Sequence, residues 1–131
     1  MNAPEVRIAT GSVYHPPAEP YPRLLVMRRW PRGVAKGAVD QWERDLGPSD
    51  ELLDGYQAGA VPWEEFERRY RAEIAARTSL LDWATRMATG TGVTLLCGSH
   101  PDDQCHRTIL AALIRERASE GSRGERGARS R

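Results

Sequence analysis

Two cysteines, a histidine and an arginine occur within a single stretch of the chain. Cys97 ends a short apolar run that begins at Val93, and Cys105, His106 and Arg107 follow after a polar segment. Thiols act as nucleophiles or redox groups where positive charge nearby favours the thiolate form. Thiolates and imidazoles are also common metal ligands. This cluster therefore has the clearest chemical character in the sequence.

The residues around the cysteines predict a strand, a polar loop and a helix. Residues 93–97 are almost entirely apolar and lie between glycines, which is typical of a strand buried on both faces. Asp102 or Asp103 can cap the next helix, and apolar residues follow Cys105 at helical spacing. Ligands of open α/β sheets bind beyond the carboxyl ends of the strands, and helix N-termini favour anions. We therefore expect an anion site here, with the amides of residues 98–104 helping to bind the ligand.

A group of arginines follows a second predicted strand, residues 24–27. The side chains of interest after this strand are Arg28, Arg29, Trp30 and Arg32. Because side chains alternate along an extended backbone, they cannot all face one ligand. Arg32 is the preferred anion contact, since Pro31 and Gly33 restrain the backbone around it. A structural role, in which Arg32 binds loop carbonyls, is the alternative.

The cysteine cluster and the group of arginines meet if the strands ending at Met27 and Cys97 are parallel neighbours. Both carboxyl ends then lie at one edge of the sheet. In the enzyme interpretation, Cys105 is the nucleophile or redox thiol and Cys97 is its partner. His106 is then a base or an orienting residue, and Arg107 contacts the anion together with Arg32. A purely structural role for Cys97, as a small apolar core residue, stays open.

Helical geometry separates the residues of the triplet. At about 100° per residue, His106 lies at the centre of the apolar face of the predicted helix, whereas Cys105 and Arg107 flank it on opposite sides. The spacing therefore favours a buried His106 that is hydrogen-bonded to a backbone carbonyl. Cys105 and Arg107 are expected to form the exposed pair.

The bulk composition predicts one small globular domain. The chain has 131 residues, 40% of them hydrophobic, and a formal net charge of +1. No apolar run approaches the roughly 20 residues that span a bilayer, and no basic stripe favours nucleic acid as a partner. Two cysteines do not form a disulfide framework, so a reducing cytoplasm is expected. The sequence does not decide the oligomeric state.

Strand and helix patterns alternate along the chain and predict a small three-layer α/β domain, with a short, mainly parallel sheet flanked by helices. A first strand is expected at residues 6–10, with a possible extension to residues 13–14. Helices are expected at residues 38–46, after the cap Ser49, and from Pro62 as the first helical residue. The last of these either continues or restarts at Ser79. The domain is expected to occupy residues 1–117. Residues 118–131, rich in glycine and arginine, predict a disordered tail.

Several of these segments resemble a family of bacterial proteins. Residues 21–36 contain Trp-Pro-Arg-Gly followed by a lysine, and residues 63–66 read Trp-Glu-Glu-Phe. Together with the Cys-His-Arg triplet at residues 105–107, they are similar in order and spacing to the domain of unknown function family 488, which includes the YeaO-like proteins. The likeness covers roughly residues 6–114. The resemblance implies a compact α/β fold and implies little about activity.

Two other functions stay open at this point. The first is a haem- or metal-binding protein, for which Cys97, His100, Cys105 and His106 would supply the ligands, although the usual zinc-site spacings of cysteine and histidine are absent. The second is a non-catalytic binding or regulatory module in which the cysteines have no chemistry. The cofactor, if there is one, is unknown from the sequence.

Overall fold

Four strands form a parallel sheet in the computed structural model, which describes residues 5–98 and 105–129, with side chains to residue 120. The strands are β1 (Ile8–Ser12), β2 (Arg23–Leu25), β3 (Gln41–Trp42) and β4 (Val93–Cys97), in the spatial order β1-β4-β2-β3. Each neighbouring pair is parallel. All four carboxyl ends therefore lie along one edge of the sheet.

The central strand, β4, is buried along its whole length, as its almost entirely apolar sequence predicts. Ile8 of β1 lies opposite Val93, and Leu24 of β2 lies opposite Leu95. The hydrogen bonding continues past the ends of the neighbouring strands, because the Val13 N–H donates to the Cys97 carbonyl over 2.8 Å and the Val26 N–H donates to the Leu96 carbonyl over 3.0 Å. β1 and β2 thus both lead directly to the end of β4.

Four α-helices follow or separate these strands in the described residues. They are α1 (Asp50–Gln57), α2 (Trp63–Ala76), α3 (Thr78–Thr89) and α4 (His106–Arg129). The Ser49 hydroxyl accepts a hydrogen bond from the Leu52 N–H over 3.2 Å, so the predicted cap of α1 is confirmed. Pro62 precedes the first residue of α2, and the predicted restart near Ser79 is the separate helix α3.

The helices cover one face of the sheet. Leu24, Val26, Val93 and Leu95 point to this face and belong to the main core, which all four helices complete with buried apolar residues. Side chains two residues apart share one face of a strand, which explains why these positions alternate. The α/β class and the short parallel sheet are therefore confirmed.

The opposite face of the sheet is covered by the irregular segment between β2 and α1. Leu25 and Leu96 point to this face and pack with a smaller cluster that includes Trp30 and Trp42. The two indole rings meet edge to face, with centroids 5.3 Å apart. The third layer of the fold is thus built from turns.

The predicted helix at residues 38–46 is wrong. This segment contains β3, with a short 3-10 turn on each side, Lys36–Ala38 and Arg44–Leu46. The Asp40 N–H donates to the Arg23 carbonyl over 2.9 Å, and the Glu43 N–H donates to the Leu25 carbonyl over 3.0 Å. Pairing with the open edge of β2 satisfies these backbone groups, so the tertiary contact overrides the helical spacing of the side chains.

Helix α4 continues past residue 117, where the sequence predicts the end of the domain. Ala118 is still buried, and Arg117 Nε donates to Asp82 Oδ1 over 2.7 Å, so the packed part of α4 reaches this point. The predicted tail lies mostly beyond the residues whose side chains are described. The division at residue 117 stays a prediction.

Replacing Tyr70 by phenylalanine tests the contact between α2 and the third layer. The Tyr70 hydroxyl donates to the Leu46 carbonyl over 2.5 Å, and both residues are fully buried. Y70F leaves that carbonyl unsatisfied, so the free energy of unfolding in urea should fall by about 1–3 kcal/mol. The control is Y14F, because Tyr14 is exposed and its loss should cost less than about 0.5 kcal/mol. Equal losses in both variants would contradict this account.

Candidate functional site

A cavity of about 380 Å³ opens at the carboxyl edge of the sheet, where β2 and β4 end. The residues that line it include Arg28, Arg29, Trp30 and Arg32 on one side and Cys97, Cys105 and His106 on the other. The two groups meet because β2 and β4 are parallel neighbours, as the sequence analysis requires. The structure therefore brings both groups of candidate residues to one cavity, with the exception of Arg107.

Two of the arginines in the cavity wall are paired with carboxylates. Arg28 Nη1 lies 2.7 Å from Asp45 Oδ1, and Arg29 Nη2 lies 2.8 Å from Asp50 Oδ1 and 3.2 Å from Asp54 Oδ1. The hydrogen bonds that Arg29 donates to these two aspartates raise the pKa of its guanidinium. Their charges are largely compensated, which makes Arg28 and Arg29 weaker anion contacts than the sequence indicates.

Arg32 differs from them in its electrostatic surroundings. In the described part of the chain no carboxylate lies within ion-pair distance of its exposed guanidinium. Its backbone is restrained, because the Tyr14 hydroxyl donates to the Arg32 carbonyl over 2.8 Å and Gly33 has a φ of +78° that closes the turn. Among the described residues, Arg32 is therefore the arginine of this wall that no carboxylate compensates, although its contact with an anion stays a prediction.

Trp30 has a structural contact that accounts for its position. Its Nε1–H donates to the Val34 carbonyl over 2.8 Å, and its ring packs on Trp42. The Trp42 Nε1–H in turn donates to the Met27 carbonyl over 2.7 Å. The two indoles thus fix the turn that carries the arginines.

The sulfur atoms of Cys97 and Cys105 are bonded to each other as a disulfide. Cys97 is the last residue of β4, and Cys105 directly precedes the first residue of α4. Both side chains are buried, with exposed fractions of 1% and 4%, yet both line the cavity. The pair therefore sits at the floor of the cavity, where only a molecule that enters the cavity reaches it.

His106 is buried against the sheet, in agreement with the helical geometry of the sequence analysis. Its Nε2 lies 2.5 Å from the Val26 carbonyl oxygen, and its ring meets Tyr70 edge to face. Burial lowers the pKa of His106 to about 4, so the imidazole is neutral at neutral pH. Its other nitrogen, Nδ1, lies 3.8 Å from Cys105 Sγ.

The prediction that Cys105 and Arg107 form an exposed pair is wrong. Arg107 is 2% exposed, and its Nη1 donates to Cys97 Sγ over 2.7 Å. Burial lowers the pKa of its guanidinium, which nevertheless stays protonated at neutral pH because a guanidinium is such a strong base. The side chain turns inward because α4 packs directly on β4, which places the first turn of the helix beside the end of the strand.

The apolar and aromatic part of the cavity wall is not evident from the sequence. This part includes Tyr14, Met27, Leu53, Tyr56 and Gln57. Tyr56 and Leu53 lie on α1, and helical spacing alone does not show that this side of α1 reaches the end of the sheet. The neutralising aspartates are not evident from the sequence either, since they follow the arginines by 17 to 25 positions in the chain.

Part of the predicted site lies outside the described residues. His100, Asp102 and Asp103 fall in this part, as do the loop amides beyond Gly98. Within the ranges 5–98 and 105–129, no group of three or more histidine, cysteine, aspartate or glutamate side chains could hold a metal ion. No helix in these same ranges is both long and apolar enough to cross a membrane.

Comparison with known proteins assigns the chain to a family. A family model described as the active DUF488-N3 subclade, DUF488-N3a, matches residues 8–118. This protein belongs to the DUF488 family. It is 33% identical to the uncharacterized protein YeaO of Escherichia coli over 95 residues, which are 71% of this chain and 83% of the relative.

Two mycobacterial relatives match over a longer span. The chain is 31% identical to the uncharacterized proteins Mb3100c of Mycobacterium bovis and Rv3073c of Mycobacterium tuberculosis over 117 residues. These residues are 86% of this chain and 98% of each relative. No solved structure matches this DUF488 protein significantly. The resemblance to the YeaO-like family is therefore confirmed.

The burial of neutral His106 predicts a loss of stability in acid. The ordinary pKa of histidine is 6.5 and that of folded His106 is about 4, so the unfolded chain binds more protons between these values. The free energy of unfolding should therefore fall as the pH is lowered from about 6.5 to about 4, by up to about 1.4 kcal/mol per pH unit from this residue.

The matched variants for this measurement are H106Q and H15Q. Glutamine at position 106 keeps an N–H donor for the Val26 carbonyl but does not titrate, so H106Q should lose this part of the pH dependence in urea unfolding. His15 is exposed, and H15Q should retain the full dependence. Equal pH profiles for H106Q and the unsubstituted protein would refute the assignment.

Proposed function

We propose that this protein binds a small anionic molecule in the cavity at the carboxyl edge of the sheet and acts on it through the thiols of Cys97 and Cys105. One observation carries the proposal. The guanidinium of Arg32, which pairs with no carboxylate of the described residues, lines the same cavity as both sulfur atoms. The cavity size is in the range of small-molecule sites, and its wall combines apolar residues with a few polar groups.

The charges around the cavity favour an anion. Arg28 and Arg29 are balanced by three aspartates, whereas Arg32 is not balanced by any described residue. α4 begins directly after Cys105, so the partial positive charge of its N-terminus lies beside the sulfur pair. Both charges attract an anionic group into a partly enclosed space, where screening by water is weaker.

The reaction class follows from the residues at the floor of the cavity. Two cysteines in bonding contact form a dithiol–disulfide couple, which exchanges with thiols and disulfides that reach it. His106 Nδ1 and Arg107 Nη1 each contact one of the two sulfurs, and such neighbours control thiol reactivity. The family model that matches the chain is described as that of an active subclade. These observations support an enzyme that uses cysteine chemistry.

Two alkylating reagents of similar size test the proposal on the reduced protein. Iodoacetate is anionic and iodoacetamide is neutral, and both alkylate thiolates. The ratio of their rates should be about tenfold higher in the folded protein than in the same chain unfolded in urea, because the cavity concentrates anions. Raised salt should reduce this preference.

The variants R32Q and R86Q show whether Arg32 is responsible. Arg86 is also exposed, but it lies in α3, shortly before the start of β4. The cavity lies at the opposite edge of the sheet, where β4 ends. The preference for iodoacetate should fall about tenfold in R32Q and remain in R86Q. The ratio of the iodoacetate rate to the iodoacetamide rate could instead be the same in the folded protein and in the unfolded chain. That result would indicate a binding module without anion-directed thiol chemistry.

A further inference from the structure

We infer that the two cysteines have fixed and different roles, in which Cys97, held by Arg107, is the attacking thiolate and Cys105, held by His106, is the resolving thiol. The inference rests on the proposed function and deepens it by naming the substrate class, a small disulfide that carries carboxylates. It also reverses the roles that the sequence indicates, because the sequence places Arg107 beside Cys105.

The contact between Arg107 and Cys97 selects the attacking sulfur. Arg107 Nη1 donates to Cys97 Sγ over 2.7 Å in a buried environment. A guanidinium is a donor with a full positive charge, and a hydrogen bond from it is stronger when the acceptor is an anion. Once an external thiol reductant has reduced the disulfide to two thiols and has itself been oxidised to a disulfide, this contact favours the thiolate of Cys97 over its thiol.

The contact between His106 and Cys105 has the opposite effect. The Val26 carbonyl can only accept a hydrogen bond, so the proton of the neutral imidazole must lie on Nε2. Nδ1 then carries a lone pair, which faces Cys105 Sγ across 3.8 Å. A lone pair in this position favours the S–H form of Cys105, whose proton it can accept, and disfavours the thiolate.

The N-terminus of α4 opposes this assignment but is the weaker influence. Cys105 directly precedes α4, and the helix dipole would favour a thiolate there. The dipole is equivalent to roughly half an elementary charge spread over the first turn, whereas Arg107 brings a whole charge into direct contact with Cys97. The balance of the two effects therefore places the thiolate on Cys97.

The reaction with a small disulfide then proceeds in two balanced steps. The Cys97 thiolate attacks one sulfur of the substrate, the substrate S–S bond breaks, and the leaving thiolate takes a proton from water. Cys105 next gives its proton to His106 Nδ1 and attacks the sulfur of Cys97. The mixed disulfide breaks, the second small thiol leaves with the proton from His106, and the Cys97–Cys105 disulfide forms. The substrate is reduced and the protein dithiol is oxidised.

Dithiodipropionate and cystamine are the probes, because they are disulfides of similar length with two carboxylates and two ammonium groups respectively. In C105S, dithiodipropionate should form a stable mixed disulfide on Cys97. In C97S, the adduct on Cys105 should form about tenfold more slowly, since Arg107 contacts Cys97 and does not stabilise a thiolate at Cys105. The unsubstituted protein should release two small thiols per chain and end without an adduct, as mass spectrometry would show.

H106Q tests the resolving step in a protein that keeps both cysteines. The first small thiol should be released at the normal rate and the second about tenfold more slowly, because Cys105 has lost its proton acceptor. The mixed disulfide on Cys97 should therefore accumulate. Simultaneous slowing of both releases would overturn the role of His106 as the acceptor.

Limiting iodoacetamide on the reduced, unsubstituted protein provides a measurement that does not depend on the folding of any variant. Peptide mapping should find the first label on Cys97. A first label on Cys105, or equal labelling of the two, would overturn the assigned roles and leave the proposed function standing if iodoacetate is still preferred. Equal rates for dithiodipropionate and cystamine in both single-cysteine variants would instead overturn the proposed function.

Discussion

The hydrogen bond between His106 Nε2 and the Val26 carbonyl is the contact on which the site depends. It joins the first residue of α4 to the end of β2, across the same edge at which β4 ends. The bond also determines which nitrogen of the imidazole carries the proton, because a carbonyl cannot donate. The position of α4, the protonation of His106 and the surroundings of Cys105 therefore have a common physical origin.

The parallel sheet supplies the other half of this arrangement. Parallel strands require long connections, and these connections bring distant segments to the same edge. The turn with Arg32 follows β2, and the sulfur pair lies between β4 and α4, so the cavity forms where the two neighbouring strands end. The Trp30–Trp42 contact stabilises the turn on the face that lacks helices.

A large part of the fold and some of the site are readable from the sequence. The almost entirely apolar run at residues 93–97 predicts β4 with its observed bounds, and the helical angle of His106 predicts its burial. β3 is not predictable in this way, because two residues carry no periodic signal and form a strand only by pairing with β2. The compensation of the Arg28 and Arg29 charges is also not predictable from the sequence, because it depends on aspartates that only folding brings near.

The sequence by itself determined that thiols, an imidazole and arginines follow two buried strands, because apolar runs and helical spacing are local properties. Only the tertiary structure decided which charge faces which sulfur. Arg107 is two positions from Cys105 along the chain, yet it contacts Cys97, because the packing of α4 on β4 turns its side chain inward. Contacts of this kind depend on the positions of several elements in space, which spacing along the chain does not specify.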